Sequence, residues 1–281
     1  LVKQGLLELA QTKRVGLRLL LAELGLLGRP LSSQDVAIRF APKLNALSRL
    51  DNGTLPVELF LVEDEAQAEA LVRTVMKSND LRVSLQADAE KLAFEMHKNW
   101  KNDKFVFLAS PDFHRGVVGL VATKLSQATG TPAFVGSIDA DGVVVGSVRN
   151  PGNISVVEAL ESASPYLNRF GGHVAAAGFE THQDKVSSLI EALTLYYENP
   201  KKGMVGGQSQ VAYDCDADFC EVDAEMMSCL DKVGPFGTGF SPAVFRFQNA
   251  VVAKIKPLRG GHLKLSIRQQ GTVREALMFS P

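Results

Sequence analysis

The chain is 281 residues long, 46% hydrophobic and 22% charged, with 30 Lys and Arg against 31 Asp and Glu. Those proportions exclude disorder and fibrous structure, and at about 100 to 200 residues per domain the length favours two compact units. A formal net charge of −1 announces neither a nucleic-acid nor a membrane partner, so any such partner has to be read from local clusters.

Cys215, Cys220 and Cys229 are an odd set without CxxC spacing or a neighbouring His. They argue against a disulfide framework and a zinc site; small buried thiols in a cytoplasmic protein are expected instead. The most apolar stretch, residues 17–27, is interrupted by Arg18 and Glu23. It is too short to span a bilayer, and no leader with a cleavage site opens the chain, so no membrane partner is expected. The first residue is Leu1 and not Met, which suggests a piece of a longer protein.

Along residues 1–27 leucines recur at helical spacing, with Gly16 and Gly25 as punctuation and Gly28-Arg29-Pro30 as the stop; two short helices are predicted. Ser32-Ser33-Gln34-Asp35 reads as a helix start or turn. Pro42 biases Ala41 away from helix, so residues 40–50 are expected to enter as a loop. Residues 64–100 contain neither Gly nor Pro, and Leu71, Val75, Ser78, Arg82, Leu85, Ala89, Leu92 and Met96 fall on alternating four- and three-residue steps. That spacing predicts one long helix or two in line, on the order of 50 Å at about 1.5 Å per residue, a spacer between domains. Ser78 and Arg82 are the polar weak point of its stripe, where a break is expected if one occurs.

An α/β alternation follows. Residues 105–109, 132–138 and 143–148 read as strands, with a turn at Asp139-Ala140-Asp141-Gly142; residues 116–127, a run from Ser155 and a closing run to Tyr197 read as helices. The alternation implies a sheet with helices packed on it, an α/β fold. Asn199-Pro200-Lys201-Lys202-Gly203 is a linker by composition. Beyond it, short strand-like segments and a single helix at residues 223–232 predict a small β-barrel or sandwich.

Three segments offer chemistry. Phe113-His114-Arg115-Gly116-Val117-Val118-Gly119 lies where a strand hands over to a helix, so its backbone amides and His114 suit an anion; a tight-packing turn is the plainer alternative. In Gly146-Ser147-Val148-Arg149-Asn150 a hydroxyl and a guanidinium stand two residues apart on one strand face and can hold a phosphate between them. In Arg169-Phe170-Gly171-Gly172-His173 the paired glycines bare the approach to a histidine suited to phosphate binding or proton transfer, or to a structural role in a turn. Asp214, Asp216 and Asp218 alternate, as on a solvated strand edge. Motifs of metalloproteases, P-loops and dinucleotide sites are absent.

Between Phe245 and Arg274 there are seven cations, Arg246, Lys254, Lys256, Arg259, Lys264, Arg268 and Arg274, and no Asp or Glu, with Phe245 and Phe247 at the start. A basic small β-barrel suits single-stranded nucleic acid. One of the two phenylalanines is expected to point into the core.

In this order the segments resemble the RecJ single-strand-specific exonucleases of the DHH phosphoesterase superfamily, over nearly the whole chain. Pro42-Lys43-Leu44-Asn45-Ala46-Leu47-Ser48-Arg49-Leu50 is similar to the end of the DHH domain. The three segments above, His114 to Gly119, Gly146 to Arg149 and Arg169 to His173, are similar to motifs of the DHH-associated domain. Gly234-Pro235-Phe236-Gly237-x-Gly239, Pro242-x-Val244-Phe245 and His262-Leu263-Lys264-Leu265 resemble an OB-like domain. Departures are Ser48 for Gly, Asn150 for Ser, Arg115 for Pro and Phe240-Ser241 for Asn-Pro.

The resemblance implies a division into residues 1–62 (end of the DHH domain), 63–100 (connecting helix), 101–199 (DHH-associated domain) and 200–281 (OB-like domain). It implies His173 as the catalytic residue, with Asn45, Arg49, His114, Gly116, Ser147, Arg149, Gly171 and Gly172 binding substrate or phosphate. Lys254, Lys256, Lys264 and Arg268 are expected to contact nucleic acid. The family's metal-binding aspartates and Asp-His-His triplet have no counterpart here, so Mn²⁺ or Mg²⁺ is implied for the complete enzyme and no metal for this chain. The implied partner is single-stranded DNA, together with proteins of DNA repair or replication. The alternative is a non-catalytic nucleic-acid-binding or scaffold module of the same superfamily; a phosphoesterase acting on short oligonucleotides would have little use for a basic OB-like tail.

Overall fold

In the computed structural model of the chain, residues 1–50, 53–152, 154–198, 212–237 and 239–279 are described. The chain divides into two compact units: Thr12–Leu27 with Val36–Gln208, and Leu1–Gln11 with Gly28–Asp35 and Ser209–Pro281. The two short helices predicted at the start are α1 (Val2–Ala10) and α2 (Val15–Glu23). The linker at Asn199-Pro200-Lys201-Lys202-Gly203 lies outside the described residues.

In the larger unit, residues 40–50 are not the expected loop. A π-helical turn (Asp35–Phe40) runs directly into α3 (Ala41–Arg49). Pro42 sits in the first turn of α3, where a missing N–H costs no helix bond, so proline initiates the helix and does not exclude it. After α4 (Leu55–Leu61), helix α5 (Glu65–His97) runs unbroken for 33 residues from an Asp64 cap that accepts the Gln67 N–H at 2.8 Å. The expected break near Arg82 does not occur, because its guanidinium bonds along its own helix to Asn79 (2.9 Å) and Gln86 (2.7 Å).

The sheet of this unit holds β1 (Val106–Ser110), β2 (Ala133–Ile138), β3 (Val143–Arg149), β4 (Arg169–His173) and β5 (Ala176–His182) in the order β1-β2-β3-β5-β4. Only β1 and β2 pair in parallel, across the crossover helix α6 (Val118–Thr129). The hairpin β4–β5 is what the sequence reading missed, since its glycines and alanines lack the β-branched signature of strands. On one face Phe107, Phe134, Val144, Val148 and Phe179 pack with α7 (Val156–Ser162) and α8 (Val186–Glu198). Gly146 is required here, because a Cβ would stand 2.2 Å from the Phe179 ring. On the other face Val106, Leu108, Ala133 and Val135 pack against α6 and against Ala89 and Ala93 of α5. That second helical layer stops at β3, which leaves the same face of β5 and β4 uncovered.

The smaller unit holds a short parallel ribbon of β6 (Cys215–Asp216) and β7 (Phe245–Arg246), helix α9 (Ala224–Val233), and a three-stranded antiparallel sheet in the order β10-β9-β8. Those strands are β8 (Val251–Pro257), β9 (Leu263–Gln269) and β10 (Thr272–Met278). Among the described residues they do not close into the expected barrel. Gln269, 3% exposed, ties the unit together by accepting the Phe219 N–H at 2.7 Å and donating to Asp218 and to the Gln248 carbonyl. Phe247 packs edge-on against buried Phe219. The aspartates read as a solvated edge are partnered instead: Asp214 with the Val244 N–H, Asp216 with Arg246, Asp218 with Gln269. The three cysteines are free and exposed, not buried.

Candidate nucleic-acid interface

The uncovered sheet face of the larger unit is built by register. Arg149 pairs with Ala176, which pairs with His173; Ser147 pairs with Gly178, which pairs with Gly171. Paired residues of antiparallel strands share a face, so Ser147, Arg149 and His173 point the same way across a floor of Gly178, Gly171 and Ala176. His173 is exposed and stands two strands, about 10 Å, from Arg149. Gly172, at φ +154°, lies under the hairpin, where a Cβ would fall 2.4 Å from the Ala177 Cα. It is a backbone requirement that lets His173 reach the floor's edge.

Where β3 meets the start of α6, Arg149 Nη2 and Ser147 Oγ stand 3.0 and 3.3 Å from the position a Gly119 Cβ would take. Any side chain at that position would press on both. The Val118 and Gly119 amides open α6, and its Val117 cap offers no side-chain hydrogen bond. Among the described residues these two N–H groups have no acceptor, and they lie at the positive end of the helix dipole. Gly116 is held for packing, since a Cβ there would stand 2.0 Å from the Arg49 carbonyl oxygen. His114 accepts the Gly116 N–H at 3.0 Å through Nδ1 and shapes the turn.

Arg49, from the last turn of α3, donates to the Gly116 carbonyl at 3.1 Å. Its charge, after burial, pulls the pKa of both Arg149 and Arg82 down from the ordinary guanidinium value. Arg49 thus acts on both of the other guanidiniums, and among the described residues none of the three has an ion-pair partner. Among the described residues Arg149 spends one bond on its own chain, to the Val148 carbonyl. Arg82 is held by Asn79, which is 2% exposed, and by Gln86, itself bonded to Glu90. Guanidiniums with no ion-pair partner among the described residues are stabilised by an anion between them.

Arg82 is the site residue that sequence reasoning missed. Its signal was the break in the apolar stripe of α5, read there as weakness in the helix. Asn45 shares a face of α3 with Arg49 four residues on, is exposed, and makes no side-chain hydrogen bond among the described residues.

In the smaller unit, register puts Lys254, Lys256, Lys264 and Arg268 on one face of the β8-β9-β10 sheet. Lys256 pairs with Lys264, Lys254 with Ser266, and Arg268 with Val251 across a bulge. This face is less cationic than its sequence window implied. Glu275, just past the window, holds Lys264 at 2.8 Å, Asp216 holds Arg246, and Arg274 caps the carbonyls of Phe219 and Val222.

Among the described residues no group of three or more His, Cys, Asp or Glu side chains is placed to hold a metal ion. No helix among them is long and apolar enough to cross a membrane.

The chain matches the DHHA1 domain over residues 102–199 and the RecJ OB domain over residues 213–281. Together these place it in the DHH superfamily, as a DHHA1 domain followed by an OB domain. The single-stranded-DNA-specific exonuclease RecJ of Thermus thermophilus is 40% identical over 204 residues, which cover 71% of this chain and 29% of that protein. The Bacillus subtilis protein of the same name is 27% identical over 282 residues, covering 98% of this chain and 36% of that protein. The crystal structure of Thermus thermophilus RecJ in complex with Mg²⁺ superposes with a TM-score of 0.82 at 29% identity, over 100% of this chain and 42% of that one. Its complex with Mn²⁺ gives 0.82 at 30% identity, over 98% of this chain and 40% of that one. The chain is thus a RecJ-like C-terminal portion, and it spans less than half the length of the relatives it matches.

Proposed function

We propose that this chain is the substrate-gripping and single-stranded-DNA-binding portion of a RecJ-like metal-dependent exonuclease, which hydrolyses phosphodiester bonds of single-stranded DNA in repair or recombination. The observation that carries the reading is the group of Arg49, Arg82 and Arg149, without an ion-pair partner among the described residues, beside the opening amides of α6 and the bare glycine floor. In this reading the Arg149 fork and the Ser147 hydroxyl grip one phosphate, with the Val118 and Gly119 N–H groups as backbone donors. Arg49 and Arg82 supply the surrounding positive potential, and Asn45 extends the cleft wall. His173, about 10 Å across the floor, donates to the scissile or terminal phosphate. The basic face of the smaller unit holds the strand further along. The water-activating divalent ions, Mn²⁺ or Mg²⁺, are assigned to the complete enzyme.

The test uses the chain alone with labelled single-stranded DNA and Mn²⁺ or Mg²⁺. It is expected to bind the strand and release no nucleotide. Chelator-sensitive release of nucleotides would overturn the division of labour, and failure to bind would overturn the grip.

A further inference from the structure

On the same sheet face, beyond Ser147 and away from Arg149, lies a depression of about 270 Å³ lined by Val145, Gly171, Gly178, Phe179, Arg169 and Glu180. Its floor is bare for no reason internal to the fold. A Cβ on Gly171 would meet nothing within 4 Å, a Cβ on Gly178 would come no closer than 3.8 Å to any atom, and neither glycine has a positive φ. This contrasts with Gly146 and Gly172, where packing leaves no room for a side chain.

At the far end of the floor Arg169 donates to Glu180 from both Nε (2.8 Å) and Nη2 (2.7 Å). Both bonds fall on Oε2, so the second carboxylate oxygen, Oε1, has no partner among the described residues. Glu180 is held in place, its side chain 21% exposed, while Arg169 is 76% exposed. The pair thus offers an acceptor beside a donor, at the end of a flat, side-chain-free surface. The row of Val145, Glu180 and Arg169 lies one side-chain step, about 7 Å, from the row of Ser147, Gly178 and Gly171. That is the span from a phosphate to the base of its own nucleotide.

We infer that this depression takes the nucleobase beside the gripped phosphate, laid on the Gly171–Gly178 floor with its Watson–Crick edge against Glu180 and Arg169. The inference rests on the proposed phosphate grip. Each of the four bases carries a donor next to an acceptor on that edge: N6–H and N1 in adenine, N4–H and N3 in cytosine, N1–H and O6 in guanine, N3–H and O4 in thymine. The exocyclic group donates in adenine and cytosine and accepts in guanine and thymine, so the Arg–Glu pair meets the two kinds with the base turned over between them, and only when the edge is free of a pairing partner. The site selects single strands without reading sequence, a selection made by chemistry at the base edge in addition to any made by the width of a cleft.

The test is fluorescence anisotropy of the full chain with thymidine tetranucleotides phosphorylated at one end, in both polarities, whose phosphate-bearing nucleotide is thymidine, N3-methylthymidine or abasic. These differ only at the base edge or in the base itself. In one polarity the N3-methyl and abasic forms are expected to bind about tenfold more weakly than thymidine, as for the loss of one hydrogen bond to a charged group. Glu180→Ala, and independently Gly178→Val, which fills the floor where a Cβ has room, are expected to bind all three alike at the weaker level. Equal affinities of the unaltered chain for the three forms in both polarities, with Arg149→Ala still weakening all of them, would overturn the base site and leave the phosphate grip standing. Binding that ignores Arg149→Ala, or no binding at all, would overturn both.

Discussion

The two cationic faces of this chain hold charge in different ways. In the larger unit three arginines are partly buried, with Arg49 acting on the other two, and are positioned by neutral groups: Arg49 by the Gly116 carbonyl, Arg82 by Asn79 and Gln86, Arg149 by the Val148 carbonyl. In the smaller unit the cations are mostly lysines on an open sheet, and one of the four, Lys264, already holds a carboxylate. Fixed guanidiniums with low freedom suit a phosphate at one defined place, whereas flexible, solvated lysines give attraction that salt screens. The difference teaches that a count of positive residues says little; what separates the faces is whether neutral or acidic partners hold the charges.

The sharpest way to break this contrast is at the reacting phosphate. In the complete enzyme, Arg149→Ala and His173→Ala are each expected to lower turnover about a hundredfold, roughly 3 kcal/mol, with a smaller loss in affinity for long single strands. Single-turnover rates and equilibrium binding measured on the same variants would separate the two effects. Loss of affinity alone would move both residues out of the site.

A smaller effect is expected at Arg82. Arg82→Ala should weaken binding of a short phosphorylated oligonucleotide about tenfold, by removing one charge from the potential around the phosphate, and should lower the melting temperature, because buried Asn79 loses its Arg82 partner. Arg82→Lys should recover part of that loss, since the charge returns without the fork. Calorimetric titration checks the affinity and a melting curve the fold.

The smallest effect belongs to the lysine face. If about three of its cations meet phosphates, the slope of log affinity against log salt for a long single strand should steepen by about 2, equivalent to roughly fourfold weaker binding on doubling the salt. Replacing Lys254, Lys256 and Arg268 with Glu should flatten the slope. Lys264→Glu alone should change it little, because Glu275 already offsets that charge.

The residues of both faces are in plain view in the sequence, whereas the geometry that distinguishes them is not. Period-two spacing put Ser147 and Arg149 on one strand face, and the uninterrupted run of residues 64–100 announced α5, since both are local patterns. The β4–β5 hairpin went unread, because strand propensity rests on branched and aromatic side chains and this hairpin is made largely of Gly and Ala. Pro42 misled because the same ring that ends a helix also suits its first turn. Arg82 was visible as a polar residue on an apolar stripe, but its meaning depends on α3 bringing Arg49 within electrostatic reach. Likewise the Phe245–Arg274 window looked free of acids only because Asp216 and Glu275 reach it from outside. Sheet register and cross-chain charge pairing are long-range facts that composition in a window does not contain.

Hydrogen exchange of the full chain, with and without a saturating short single-stranded oligonucleotide, compares the two faces in one measurement. Slowed exchange at the Val118 and Gly119 amides and along residues 169–173, exceeding any change in residues 251–269, is the result the account predicts. Protection confined to residues 251–269, with the start of α6 and the glycine floor unchanged, would contradict it.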